Sequence, residues 1–162
     1  MKVFVDTSAI LGGLNSADDW HNPATKAWEN FLAETTLLVT TNYVVVESLA
    51  VIQGRLGLPA VRAFLEEIVP NLRVEWVDED THRAASAALL AADRRGLSLV
   101  DLSSFETMRR LGIRSVFTFD RHFRRYGCVF RPNPAIVPRP IRPPFRRQSG
   151  HRSEVKAATV PI

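Results

Sequence analysis

Four carboxylates stand where this chain could do chemistry: Asp6, Glu47, Asp101 and Asp120. Asp6 closes the apolar run Val3-Phe4-Val5 and is followed by Thr7 and Ser8; Asp120 closes Val116-Phe117-Thr118-Phe119 in the same manner. In an open α/β sheet, ligands bind outside the carboxyl ends of the strands, so both acids are expected at one rim. Asp101 starts a helix that must begin at that rim, and Glu47 rides on a helix leaving it. Four carboxylates converging without a cation would repel one another, and some would take up protons. Hard oxygen ligands of this kind suit Mg²⁺, with Mn²⁺ as an alternative. Such ions activate water and stabilise a phosphoryl transition state.

Each acid also has an ordinary structural explanation. Asp6 and Asp120 can cap the helices that follow them. Ser98-x-x-Asp101 ahead of an apolar run has the form of a capping box, and an acid in a first turn complements the helix dipole. Glu47 has the weakest excuse. It lies in Val44-Val45-Val46-Glu47-Ser48-Leu49-Ala50-Val51-Ile52, apolar all round the helix, which predicts a largely buried element. A charge there needs a partner or a cation.

The elements that would position these residues alternate between strand and helix. Lys2 to Val5, Leu37 to Thr41, Leu72 to Val77, Val116 to Phe119 and Cys128 to Phe130 read as strands, the last at an edge. Helices are predicted over Thr7 to Leu11, ended by Gly12-Gly13, and from about Pro23, with Ala24, Ala27, Trp28, Phe31 and Leu32 on one face. Asn42 is placed as the cap of a helix from Tyr43 to about Gln53. A further helix opens at Leu58-Pro59, with Val61, Phe64, Leu65 and Ile68 inward, and Pro70-Asn71 breaks it. Asp78 to Asp80 cap an alanine-rich helix to about Arg95. The helix after Asp101 turns Leu102, Phe105 and Met108 inward and ends at Gly112. This alternation argues for a small, mostly parallel sheet covered on both faces.

The charge divides unevenly. Up to Phe130 the chain carries 14 Lys+Arg against 16 Asp+Glu; beyond it, 7 against 1. Residues 131–162 interleave Pro132, Pro134, Pro138, Pro140, Pro143 and Pro144 with arginines. Proline at that density permits neither helix nor central strand. The expectation is therefore a globular domain over 1–130 and a basic, extended and disordered tail over 131–162. A single cysteine, Cys128, rules out an internal disulfide and fits a reducing cytoplasm. No apolar run approaches the ~20 residues of a membrane span. Asp6 interrupts the first apolar run too early for a signal peptide.

The motifs together resemble those of PIN-domain ribonucleases, and among them the VapC-type toxins of bacterial toxin–antitoxin systems. The resemblance spans Met1 to Phe130. It is carried by Val5-Asp6-Thr7-Ser8, by Glu47 in its apolar helix, and by Leu99-Val100-Asp101-Leu102-Ser103-Ser104-Phe105. Met108-Arg109-Arg110-Leu111-Gly112 and Phe117-Thr118-Phe119-Asp120-Arg121-His122-Phe123 complete it. It implies a three-layer α/β/α fold and Mg²⁺- or Mn²⁺-dependent endonucleolytic cleavage of RNA. It implies that Asp6, Glu47, Asp101 and Asp120 form an acidic metal site, with Asp6 and Asp101 as the chief ligands. Thr118 matches a hydroxyl position near the site, and Thr7 would orient a carboxylate or a metal-bound water. A homodimer and a cognate antitoxin filling the groove are also implied. The Pro/Arg tail departs from the pattern, since VapC-like chains end soon after the last strand.

Arg121, Arg124 and Arg125 follow the site and could contact RNA phosphates, or simply form a solvated face. Trp20 could stack on bases, whereas Trp28 belongs to a core-facing stripe. His122 could be a general acid or a surface residue. Alternative readings are a catalytically inactive PIN-fold module binding RNA or protein, and a PIN nuclease working in RNA processing. A haloacid-dehalogenase-like phosphatase wants a second Asp where this chain has Ser8. A receiver domain wants a late lysine, but up to Phe130 the chain has only Lys2 and Lys26.

Overall fold

The computed structural model describes residues 1–91, 96–121 and 123, and the backbone of Val129–Phe130. Residues 131–162, and with them the proposed tail, lie outside the described residues, as do Cys128, His122, Arg124 and Arg125.

The chain runs β1 (Lys2–Val5), α1 (Thr7–Leu14), α2 (His21–Ala33), β2 (Leu37–Thr41), α3 (Asn42–Leu56) and α4 (Leu58–Ala63). A π turn (Phe64–Ile68) and a 3₁₀ turn (Val69–Asn71) lead to β3 (Arg73–Glu75). Then follow α5 (Glu79–Ala91), α6 (Leu99–Leu111), β4 (Ser115–Phe117) and β5 (Val129–Phe130). The strands form one parallel sheet in the order β3-β2-β1-β4-β5. Consecutive residues of a strand face opposite sides. Val3, Phe4 and Val5 are all fully buried, so both faces are covered and the architecture is three-layered. The same holds for Leu38 to Thr41 of β2.

That strand order has a consequence for function. The chain builds outward from β1 through β2 to β3, then returns past β1 to lay down β4 on its other side. The carboxyl ends of β1 and β4 are thus neighbours at the point where the order reverses, the place where open α/β sheets hold ligands. Asp6 follows β1 directly, and Thr118 to Asp120 follow β4.

Local sequence explains most boundaries. Ser98 and Asp101 make the reciprocal capping box, and Gly112 ends α6 in the left-handed region at φ 64°. Thr107, Met108 and Leu102 are buried along α6. The backbone N–H of Thr81 donates to Asp78 in the first turn of α5, and Arg110 of α6 reaches back to Asp78 and to Thr81 Oγ1 (2.7 Å).

Several boundaries differ from the sequence expectation. α1 does not end at Gly12-Gly13 but runs through them to Leu14. The glycines are there for close approach: a Cβ at Gly12 would lie 3.2 Å from Ala24 Cβ, and one at Gly13 would lie 2.9 Å from Trp28 Nε1. Thr41, not Asn42, caps α3 by accepting from the Val44 N–H. The Asn42 carboxamide instead accepts from the Val77 N–H at 2.8 Å. α3 is not buried all round. Val46 is 65 % exposed, and only Val44, Ser48 and Ile52 are fully inside, so Glu47 lies on a helix that is open on one side and not in a largely buried one. The helix from Leu58 widens at Phe64 into the π turn, which rotates Leu65 out to 44 % exposure while Phe64 stays buried. Leu32 lies off the buried stripe of α2, at 52 % exposed. The third strand is shorter than Leu72 to Val77, and the fourth ends at Phe117 rather than Phe119.

Two glycine substitutions separate packing from helix preference. Gly54 in α3 has nothing within 4 Å of a would-be Cβ, so Gly54→Ala should raise stability by about 0.5 kcal/mol. Gly13→Ala should lower it by about 1–3 kcal/mol, because the Trp28 ring is held edge-on against Phe117 and cannot yield. Urea denaturation of both variants checks this; stabilisation of both would show that the α1–α2 contact tolerates a methyl.

Candidate active site

Asp6 is the most constrained residue of the rim. Its backbone N–H continues the β1–β4 pairing by donating to Phe117 O at 3.1 Å. Its side chain caps α1, with Oδ2 accepting from the Ser8 N–H at 3.2 Å. The same oxygen accepts from Ser8 Oγ at 2.7 Å and from Thr118 Oγ1 at 2.9 Å. The capping explanation is therefore correct as far as it goes. Yet the residue is 5 % exposed, far more buried than a cap requires.

Ser8 and Thr118 carry the link onward. Ser8 Oγ accepts from the Phe119 N–H at 2.9 Å, and Thr118 Oγ1 accepts from the Asp120 N–H at 3.0 Å. Each hydroxyl has one proton, and Asp6 draws both, so the 3.0 Å Ser8–Thr118 contact is proximity rather than a further bond. The segment 118–120 is thereby stitched to the start of α1 without being a strand. Thr118 was expected near the site. The part of Ser8 in holding the second loop has no sequence signal, because the Phe119 N–H it accepts from is 111 residues away.

Thr7 Oγ1 donates to Glu47 Oε2 at 2.5 Å. α1 thus fixes the Glu47 carboxylate of α3. The Asp101 carboxylate accepts from the Ser98 N–H at 2.7 Å and from Ser98 Oγ at 2.9 Å, both at Oδ2. Asp101 lies close enough to Asp6 for its charge to oppose ionisation there. The four acids do not form one ligand cluster: among the described residues, no three of His, Cys, Asp and Glu converge to hold a metal ion. The structure leaves Asp101 within electrostatic reach of Asp6, Glu47 held by Thr7, and the Asp120 backbone tied to Thr118. Of the three candidate RNA-contacting arginines, Arg121 is described, and it is exposed.

The donor chemistry fits a hard divalent cation. Mg²⁺ is commonly held by one or two carboxylates, with water and substrate oxygens completing its shell. Asp6 and Asp101 are each oriented through a single oxygen, Oδ2. Burial pushes the Asp6 carboxyl up to about 6, against the hydrogen bonds from Ser8 and Thr118 that lower it, and Asp101 adds to the rise.

The aromatic residues around the rim are mostly engaged. Trp20 stacks on Phe119 at 4.9 Å between centroids and 21° between planes, so it is half-buried packing and not an open platform for bases. Trp28 and Phe31 meet Phe117 edge-on at 5.4 and 5.3 Å. Trp76, which lies within the strand expected over Leu72 to Val77, is 79 % exposed just past the end of β3.

The raised Asp6 value fixes a pH dependence. The folded state holds this proton more tightly than the unfolded state, whose value is 3.8. Its stabilising contribution is therefore full below about 3.8 and lost as pH rises through about 6. Above that, the buried charge costs up to about 3 kcal/mol. Without divalent metal, Asp6→Asn should melt higher than the native protein at pH 7.5, and the gap should close toward pH 4. A lower melt at pH 7.5 would mean that the hydrogen bonds to the carboxylate outweigh its burial.

With this geometry, the likenesses to known proteins are coherent. Residues 3–127 match the PIN domain. The 23S rRNA-specific endonuclease VapC20 of Mycobacterium tuberculosis is 35 % identical over 130 residues, which is 78 % of this chain and 95 % of that protein. The crystal structure of the same species' VapC20, described as a Sarcin-Ricin loop cleaving toxin, superposes with a TM-score of 0.71 at 31 % identity. That match covers 78 % of this chain and 96 % of the other. VapBC2 from Rickettsia felis, bound to a DNA fragment from their promoter, shares the fold at 12 % identity and a TM-score of 0.61, over 81 % of this chain and 98 % of that one. FitAcB from Neisseria gonorrhoeae shares it at 15 % and 0.58, over 80 % and 96 %. A family match over most of the chain, a curated relative at this identity and the parallel sheet with its acid-bearing switch point all agree: the chain belongs to the PIN-domain family.

Proposed function

We propose that this protein is a metal-dependent endoribonuclease that hydrolyses RNA phosphodiester bonds and acts as the toxin of a type II toxin–antitoxin pair. The observation that carries the activity is the buried Asp6 carboxylate, clamped at the β1/β4 switch point within electrostatic reach of Asp101. Likeness to VapC20, an endonuclease, supports RNA as substrate. The antitoxin partner and a homodimer rest on likeness to VapC-type proteins. An RNA substrate fits action in the cytoplasm, and no helix among the described residues is long and apolar enough to cross a membrane.

Asp6 and Asp101 would hold Mg²⁺, or Mn²⁺ in its place. Bound there, the ion would supply positive charge that polarises the scissile phosphate and acidifies water. The protein's own groups do the rest. Ser8 and Thr118 lock the Asp6 carboxylate, so that it need not reorganise as charge develops. Ser98 does the same for Asp101 through the capping box. Glu47, steadied by Thr7, accepts the proton of the attacking water. Asp120, whose backbone N–H is pinned at Thr118, would assist in orienting water. In-line attack expels the 3′ oxygen and leaves a 5′ phosphate.

Partner-free protein incubated with total cellular RNA tests this reading. Discrete fragments are expected with Mg²⁺ or Mn²⁺, none in EDTA, and none with Asp101→Asn. Folded, metal-supplied protein that leaves all RNA intact would favour a binding module, the reading consistent with three acids not converging. Fragments that persist with Asp101→Asn would sink the proposed site.

The Thr7–Glu47 bond supports a graded result. Glu47→Gln should cut kcat by about 100-fold with KM little changed. Thr7→Val should give a smaller loss, because the acid remains but is no longer steered. Single-turnover cleavage of a mapped oligonucleotide reads both; equal losses would make Thr7 as essential as the acid it orients.

A further inference from the structure

Trp76 is a large aromatic side chain left 79 % exposed on a backbone that is fixed on both sides. Before it, Glu75 pairs with Thr41 in the β2–β3 ladder. After it, the Val77 N–H is held by Asn42 Oδ1 at 2.8 Å. Among the described residues β3 is the edge strand of the sheet, and no further strand pairs on this side. The position is also registered to the active site. Phe4 pairs with Val39 and Val39 with Arg73, so Asp6 is level with Thr41 and Glu75 along the rim. Trp76 lies one residue further out and two strand spacings away, about 10 Å from Asp6 along the sheet edge. A nucleotide flanking the scissile bond comes within that reach.

We propose that Trp76 is a stacking platform for an unpaired base of the RNA substrate, next to the bond that is cut; this rests on the ribonuclease reading above. Stacking uses the π face, which every base can meet, and needs no hydrogen-bond readout. The nearby acids do not forbid it: Asp78 is bridged to Arg110 at 3.2 Å, and Glu79 pairs with Arg83. The other two tryptophans are engaged, Trp20 on Phe119 and Trp28 on Phe117. Trp76 is thus the tryptophan of the three that presents a free face.

The test uses a short single-stranded RNA oligonucleotide in EDTA, with native protein, Trp76→Ala and Trp76→Phe. Tryptophan emission of the native protein should be quenched on titration, and Trp76→Phe should lose that quenching while binding within threefold of native. Trp76→Ala should weaken binding about tenfold, in line with one stacked base. With metal restored, it should raise KM about tenfold and leave kcat within threefold, with an unchanged melt. Native binding and KM for Trp76→Ala would overturn the proposal, and so would failure of phenylalanine to rescue. Loss of a protein partner with RNA binding intact would overturn it too, and would assign this face to that partner. The two readings fail separately: quenching without cleavage in any metal sinks the enzyme, and cleavage indifferent to Trp76 sinks the platform.

Discussion

The structure depends on one buried carboxylate. Asp6 lies at the end of the central strand, almost without solvent, and its Oδ2 collects hydrogen bonds from Ser8 and Thr118. Burying a charge there is costly unless it is paired. The fold tolerates that cost with hydroxyl donors that soften it without removing it, so the carboxyl still lies well above its ordinary value. The same hydroxyls make the rim a single unit, because Ser8 and Thr118 tie the segment after β4 to the start of α1.

The rest of the scaffold explains how that carboxylate stays in place. The strand order puts β1 between β2 and β4, so Asp6 leaves the sheet with strands on both sides and helices over both faces. Aromatic contacts of Trp28, Phe31 and Phe119 with Phe117 brace the end of β4. Close helix contact at Gly12 and Gly13 brings α2 onto α1, and with it the aromatic pair. The rim is therefore rigid for reasons that lie mostly below it.

Capping does not compete with the catalytic role proposed for these acids. Asp6 caps α1 and Asp101 closes a capping box, as the simplest reading of each residue in isolation requires. Both carboxylates accept those bonds at Oδ2, so the cap acts as an orienting device. Helix starts at the carboxyl edge of a parallel sheet supply fixed acids in this way.

The sequence by itself determined the secondary elements, their parallel α/β arrangement and the identities of the acids. These follow from apolar periodicity, from capping and glycine chemistry, and from acids placed after apolar runs, all of which act over a few residues. Tertiary structure decided what those acids touch. It set Glu47 on a half-open helix where the apolar flanks predict a largely buried one. It ran α1 through two glycines because a neighbouring helix needed the space. It moved Asn42 from a cap to a clamp on Val77, and it turned Trp76 out to solvent. Ser8 shows the reason most plainly. A hydroxyl advertises only that it can donate and accept, and the partners it finds depend on which strand ends the fold brings alongside.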